Sequence, residues 1–272
     1  MKEITDINAL HNVLYESLCY FDDFCKSNGL KYYISNGTLL GAAKYQNFIP
    51  WEDDVDVLMP REEYDRLMSL TSINNDLYRL LCVNQVKEWR MPYAKLIRND
   101  TYLEEGKHNF GVSVGLAIDI FPIDNWAPSK LRANIQSLKC EILKRKLVFS
   151  ICEEFKTQQK GIKKLINYYL YKSGKRLGYK KIQNKIFSFA NKAKKYKLRY
   201  CGCVVWTCHL NQEVLDKNIF NNTVYLTIRY RLFPTMEGYE IYLDKLYGNY
   251  KQDLPLDKQH SNHEIKVWWK NA

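Results

Sequence analysis

At 272 residues, with 46% hydrophobic and 14% aromatic side chains, the chain has enough apolar material to bury a sizeable core, which excludes a disordered polypeptide. Its formal net charge of +11 is unevenly spread: residues 130–200 hold 21 Lys or Arg against three acids (Glu141, Glu153 and Glu154), while the remainder holds 20 basic against 27 acidic residues. The opening residues lack an apolar signal core and nowhere do eighteen apolar residues run together, so a soluble cytoplasmic protein is expected, with its eight cysteines as free thiols.

Thr5 or Asp6 can cap a first helix whose apolar positions Leu10, Leu14, Leu18, Phe21 and Cys25 recur every three or four residues, with Gly29 ending it. Residues 31–35 read as a strand. Gly37 and Thr38 open a short helix through Ala43, and an aromatic loop over 45–51 leads to a strand at 55–59 that Pro60 closes. The segment 61–70 is amphipathic, with Tyr64, Leu67, Met68 and Leu70 on one side, and is expected to cover a sheet. Further strands are expected at 77–83, 92–98 and 114–121. Pro122 and Pro128 bracket a boundary, after which the pattern changes to basic helices up to about residue 197. Residues 201–209 and 225–233 read as strands, 239–247 as a helix ended by Gly248, and the tail carries Pro255, His260, His263, Trp268 and Trp269. This divides the chain into a core over 1–129, a basic helical subdomain over 130–200 and a return to the core over 201–272.

The chemistry concentrates at residues 52–56, where four carboxylates fall within five positions immediately before an apolar run. If 55–59 is a strand, Asp54 and Asp56 project from one face at its mouth while Val55 and Val57 point into the core. Hard oxygen ligands in that arrangement suit Mg²⁺ (or Mn²⁺), whose shell substrate phosphates and water would complete. Upstream, Gly37 allows close approach of a phosphate, and Thr38 offers a hydroxyl and an amide at a helix N-terminus, where the dipole favours negative charge. Downstream, Asp119 stands alone between Ile118 and Ile120. Together these make the layout of a nucleotidyltransferase-like palm: an α/β (α+β) fold with a mixed sheet, flanking helices and an inserted basic helical subdomain.

The runs Ser35-Asn36-Gly37-Thr38-Leu39-Leu40-Gly41-Ala42 and Phe48-Ile49-Pro50-Trp51-Glu52-Asp53-Asp54-Val55-Asp56-Val57-Leu58-Met59-Pro60-Arg61 resemble the signature of the LicD family of phosphotransferases, relatives of the fukutin-type proteins. Residues 92–98 and 118–124 resemble the family's second and third blocks, and Tyr247-Gly248-Asn249-Tyr250 with Pro255 and His263 its C-terminal block. Glu52 stands where the family usually has aspartate, and Asn249 replaces the usual aspartate after Tyr-Gly.

The resemblance implies transfer of a phospho-alcohol, typically phosphocholine, from a CDP-linked donor such as CDP-choline to a sugar hydroxyl of a cell-surface glycan precursor, with CMP leaving. Asp54, Asp56 and Asp119 are then the expected catalytic and metal-binding residues, Asp119 either joining a second metal or acting as general base. Gly37, Thr38, Lys44, Lys95, Arg98 and Trp51 are candidate donor contacts, with Tyr45 a further aromatic and Arg61 a cation that can instead pair with Asp65. An alternative keeps the fold but attacks the α-phosphate of a nucleoside triphosphate and releases pyrophosphate; another leaves a non-catalytic nucleotide-binding scaffold. The fukutin-related branch has a zinc-binding loop, which draws notice to Cys201, Cys203, Cys208 and His209, but their spacing lacks paired C-x2-C knuckles and buried cysteines on a strand explain it equally well. The basic segment is either a solvated helical face or a surface for anionic lipid at the inner face of the membrane, where lipid-linked acceptors reside; no nucleic-acid motif accompanies it.

Overall fold

The structure, a computed structural model, describes residues 1–106, 108–192, 199–207, 209–255, 259–260 and 265–270. Helix α1 (Ile7–Ser27) begins where Asp6 accepts a hydrogen bond from the Asn8 amide at 3.0 Å. It buries Leu10, Leu14, Leu18, Phe21 and Cys25 as one apolar stripe, and the chain leaves it through Gly29 at φ +59°.

The main sheet is built from short strands in the order β2 (Tyr33–Ile34), β3 (Val55–Pro60), β7 (Ala117–Asn125), β5 (Ala94–Arg98) and β4 (Tyr78–Leu81). Only β3 and β7 run parallel to each other; the other neighbours are antiparallel, which makes this a mixed α/β fold as expected. Val55, Val57 and Met59 are fully buried on one face of β3. Helices α2 (Asn36–Tyr45) and α3 (Arg61–Ser69) precede and follow this strand.

Several expectations need correction. Strand β7 does not stop at Phe121 but runs through Pro122 to Asn125: Pro122 and Ile123 stay in register with Met59 and Pro60 of β3, and Asp124 and Asn125 pair with β8 (Tyr200–Gly202). The strand expected at 201–209 ends at Gly202, which packs against the carbonyl of Glu213 too closely for any Cβ; β9 (Leu215–Asp216) lies alongside. In place of one strand over 225–233 there is a hairpin, β10 (Thr223–Ile228) and β11 (Arg231–Met236), turning at Arg229 with φ +57°. A second sheet joins the two ends of the chain: β1 (Lys2–Glu3) and β6 (Thr101–Glu105) flank β12 (Ile265–Trp269), so the tail tryptophans sit on a strand.

The basic segment forms α4 (Lys130–Ile151), α5 (Gly161–Leu177) and α6 (Tyr179–Lys192). Ala133, Cys140, Leu147 and Ile151 of α4, and Ile182, Ile186 and Ala190 of α6, belong to the same buried apolar cluster as the sheet. Gln183 donates from its amide to the Met91 carbonyl at 3.0 Å, tying α6 to the loop before β5. Helix α7 (Tyr239–Tyr247) ends at Gly248.

At the C-terminal end of β3, Arg61 makes a bidentate pair with the buried Asp124 of β7 (Nε to Oδ1 2.7 Å, Nη2 to Oδ2 2.6 Å) and also meets Asp65 at 3.3 Å. Breaking one side of such a pair leaves an uncompensated buried charge. Asp124→Ala is expected to lower stability by about 3 kcal/mol, read as a lower urea midpoint at unchanged slope.

Candidate active site

The parallel register of β3 and β7 sets Asp56 directly opposite Asp119, and the antiparallel register of β7 and β5 sets Asp119 opposite Lys95. Directly paired residues share a sheet face, so these three charged groups form one row across three strands. The next row on that face follows from the two-residue period: Leu58 opposite Phe121, and Tyr93 beside it, its ring 4.6 Å from that of Phe121. Trp206 continues this aromatic wall, 5.1 Å from Tyr93. The rows floor a cleft of about 500 Å³ to which α2 contributes Asn36 and Gly37, the approach to β3 contributes Trp51, Glu52, Asp53 and Asp54, and α4 contributes Val148 and Ile151.

The start of α2 is clamped onto β3. The Asp56 amide donates to the Thr38 hydroxyl oxygen at 2.9 Å, and the Ser35 amide donates to the Asp56 carbonyl at 3.0 Å. Asn36, held at φ +46°, accepts from the Tyr242 hydroxyl at 2.6 Å and hydrogen-bonds the Asp56 carboxylate. Gly37 is a glycine for a local reason: a Cβ there would come within 2.6 Å of the Glu52 carboxylate. His11 Nε2 meets the Glu52 carbonyl at 2.8 Å and burial lowers the imidazole pKa, which favours the neutral ring donating that bond.

The carboxylates crowd one another. Burial first, and then the charge of Asp54 with a hydrogen bond between the two, push Glu52 up to about 9. Asp56 is also raised, by burial and then by Asp54, Asp119 and Glu52. Burial lifts Asp119 to about 6 against the opposing pull of the Lys95 ammonium, 2.7 Å away. Among the described residues, the metal-capable group is Glu52, Asp53 and Asp54, with carboxylate oxygens all within 4.8 Å of one another. An all-oxygen donor set under mutual repulsion fits a hard divalent cation.

The structure brings Gly37, Trp51, Asp54, Asp56, Lys95 and Asp119 to the cleft and leaves three expected contacts outside it. Thr38 is fully buried, its hydroxyl engaged by the Asp56 backbone. Lys44 is held by the Gln252 carbonyl and the Asp253 carboxylate, and Arg98 is buried between Glu16 and Asp100. Tyr45 is exposed, and Arg61 serves Asp124 and Asp65. The clustered carboxylates are thus Glu52, Asp53 and Asp54 rather than the expected trio of Asp54, Asp56 and Asp119; Asp119 pairs with Lys95. Cys201 and Cys203 are buried, with the Cys201 thiol pushed up to about 12 by burial; Cys208 and His263 lie outside the described residues, and His260 is exposed. Sequence reasoning missed Asn36, Tyr93 and Trp206 as cleft residues and Tyr242 behind them. Tyr93 was recoverable as the position two before Lys95 on the same strand face; Tyr242 had no local signal.

Comparison with known proteins agrees with this geometry. Residues 29–155 match the family described as LicD/FKTN/FKRP, nucleotidyltransferase domain. The lipopolysaccharide cholinephosphotransferase LicD of Haemophilus influenzae is 27% identical over 279 residues, covering 98% of this chain and 98% of its own. An uncharacterised protein of Rickettsia prowazekii is 35% identical over 57 residues, 21% of each chain, and one of Rickettsia typhi is 38% identical over 50 residues, 18% of this chain and 16% of its own. The matched domain spans Gly37, Asp54, Asp56, Lys95 and Asp119, so residues 29–155 carry a nucleotidyltransferase domain of the LicD/FKTN/FKRP type, and the likeness to a LicD protein runs the length of the chain.

Proposed function

We propose that the protein is a phosphotransferase that moves phosphocholine from CDP-choline to a sugar hydroxyl of a lipopolysaccharide or related cell-surface glycan precursor, working in the cytoplasm. The observation that carries this reading is the pairing of an acidic row with an aromatic row in one cleft, in a chain similar from end to end to a cholinephosphotransferase. A nucleotide-linked phospho-alcohol has a matching partition, a diphosphate with the alcohol esterified next to it.

Asp54 and Asp56, with Glu52 beside them, would hold Mg²⁺ (or Mn²⁺), which supplies charge neutralisation for the donor diphosphate. The acceptor hydroxyl oxygen attacks the distal phosphorus, the bond from that phosphorus to the bridging oxygen breaks, and CMP departs. Asp119 takes the hydroxyl proton, and Lys95 holds the Asp119 carboxylate in place while offering a positive charge to the phosphates. Asn36 fixes the Asp56 carboxylate, and Gly37 leaves the room that Glu52 fills. Phe121, Tyr93 and Trp206 take the trimethylammonium end: Lys95 already lies 5.8 Å over the Tyr93 ring and Lys144 lies 5.7 Å over Trp206, so these faces accept cations.

Release of CMP from CDP-choline, measured with a glycan acceptor and Mg²⁺, tests the reading. Consumption of CTP with pyrophosphate release instead would replace it with a nucleotidyltransferase. Asp56→Asn is expected to abolish transfer while leaving the circular dichroism spectrum and melting temperature near those of the parent; wild-type turnover in that variant would remove Asp56 from the mechanism. Chelation of divalent cations is expected to stop the reaction, and added Mg²⁺ to restore it. Trp206→Leu is expected to raise the KM for CDP-choline about tenfold, with a smaller change for CDP-glycerol, because glycerol carries no cation to lose at that ring.

A further inference from the structure

Helix α5 has an apolar face that nothing among the described residues covers. Ile162, Leu165, Ile166 and Tyr169 recur at helical spacing on one side and are exposed by 74%, 67%, 51% and 70%. Its buried residues, Leu170 and Gly174, lie in its second half, where Gly174 packs against the Lys146 carbonyl of α4, so the first half projects from the body. Lys163, Lys172 and Arg176 flank this face, and the helix, which also carries Lys164 and Lys175, has no acidic residue. Helix α4 repeats the pattern: Leu131, Ile135, Leu138 and Ile142 form an exposed stripe opposite its buried Ala133, Ser137 and Cys140. No helix among the described residues is long and apolar enough to cross a membrane.

We propose that the outer face of the α4–α5 helices seats the enzyme on an anionic lipid bilayer, with Ile162, Leu165, Ile166 and Tyr169 entering the headgroup boundary and the surrounding lysines meeting lipid phosphates. Solvated helices of a soluble protein rarely expose contiguous aliphatic side chains of this size, and a purely electrostatic contact does not need them. A cationic helix with an aliphatic face is the pattern of an interfacial amphipathic helix, whose binding combines buried apolar area with attraction to anionic lipid. The charge complementarity selects the bilayer over a second copy of the chain, because 21 basic residues against three acids in 130–200 would repel their own kind. The same α4 that carries the outer stripe near its start lines the cleft through Val148 and Ile151 near its end, away from that stripe. The inference does not depend on the phosphotransfer reading, and vesicle binding is measured without donor or acceptor, so either can fail alone.

The test is co-sedimentation of the full chain with vesicles of phosphatidylcholine alone and of phosphatidylcholine with phosphatidylglycerol, at low and at physiological salt. The chain is expected to bind the anionic vesicles and to retain part of that binding at physiological salt. The triple variant Ile162→Ser, Leu165→Ser, Ile166→Ser is expected to lose at least tenfold in binding with its circular dichroism and urea midpoint unchanged, and Lys163→Glu with Lys164→Glu to lose binding chiefly at low salt. Equal binding by the triple serine variant would overturn the apolar seating and leave a charge-only contact. Failure of the parent to bind any vesicle would overturn the proposal outright, and a dimer that the serine variant dissolves would identify a second copy as the occupant.

Discussion

The site depends on one register. Because β3 and β7 pair in parallel with Val55 opposite Ile118, Asp56 falls opposite Asp119, and the two-residue period of the strands then places every other residue of both on the cleft face. A slip of one position in either strand would turn the carboxylates into the apolar layer formed by Val55, Val57, Ile118 and Ile120, which are fully buried. The hydrophobic alternation that stabilises the sheet is therefore the same feature that turns Asp56 and Asp119 toward the cleft.

Holding like charges together is costly, and the surroundings show how the cost is offset. Lys95 supplies a cation to Asp119, and Asn36 supplies a hydrogen bond to Asp56, with Tyr242 from α7 behind it. The backbone at Asp56 is pinned from both sides by Ser35 and Thr38. Thr38 thus does its work one step away from the ligand. Its hydroxyl keeps the helix N-terminus registered to the strand, while Gly37, buried beneath the Glu52 carboxylate, lines the cleft. Glu52 fits this scheme as well: its extra methylene relative to aspartate lets the carboxylate reach back over Gly37, so the side-chain length and the glycine are one feature.

What the sequence made legible was whatever depends on neighbours in the chain. The helix over 7–27, the acidic strand mouth, the helix opened by Asn36-Gly37-Thr38 and the mixed α/β class all follow from periodicity and capping over a few residues. Pairings across long separations were not legible. The sheet of β1, β6 and β12 joins residues near 2, 103 and 267, and its strands are two and five residues long, too short for alternation to announce. Lys44 and Arg98 look like phosphate ligands in the chain because basic side chains suit phosphate, yet their partners Asp253 and Glu16 are distant in sequence and consume the charge. The hairpin at 223–236 was blurred into one strand because its turn uses Arg229 rather than glycine or asparagine; the amide of that residue donates to the Gln46 carbonyl at 2.8 Å, a tertiary bond that helps hold the left-handed conformation.

The aromatic wall shows how far a single register can carry an argument about specificity. Lys95 is opposite Asp119 in the ladder, and Tyr93, one residue before β5 begins, keeps its ring 4.6 Å from that of Phe121. The acidic and aromatic rows are consequently one strand period apart, roughly 7 Å, which is the scale separating a phosphoryl group from the far end of a short alcohol attached to it. Neither row can be moved without the other. On the proposed function, changing the alcohol that the cleft admits is a matter of replacing side chains within the second row or on the Trp206 loop, where the backbone is not part of the ladder, and the first row is left to the transfer of phosphorus.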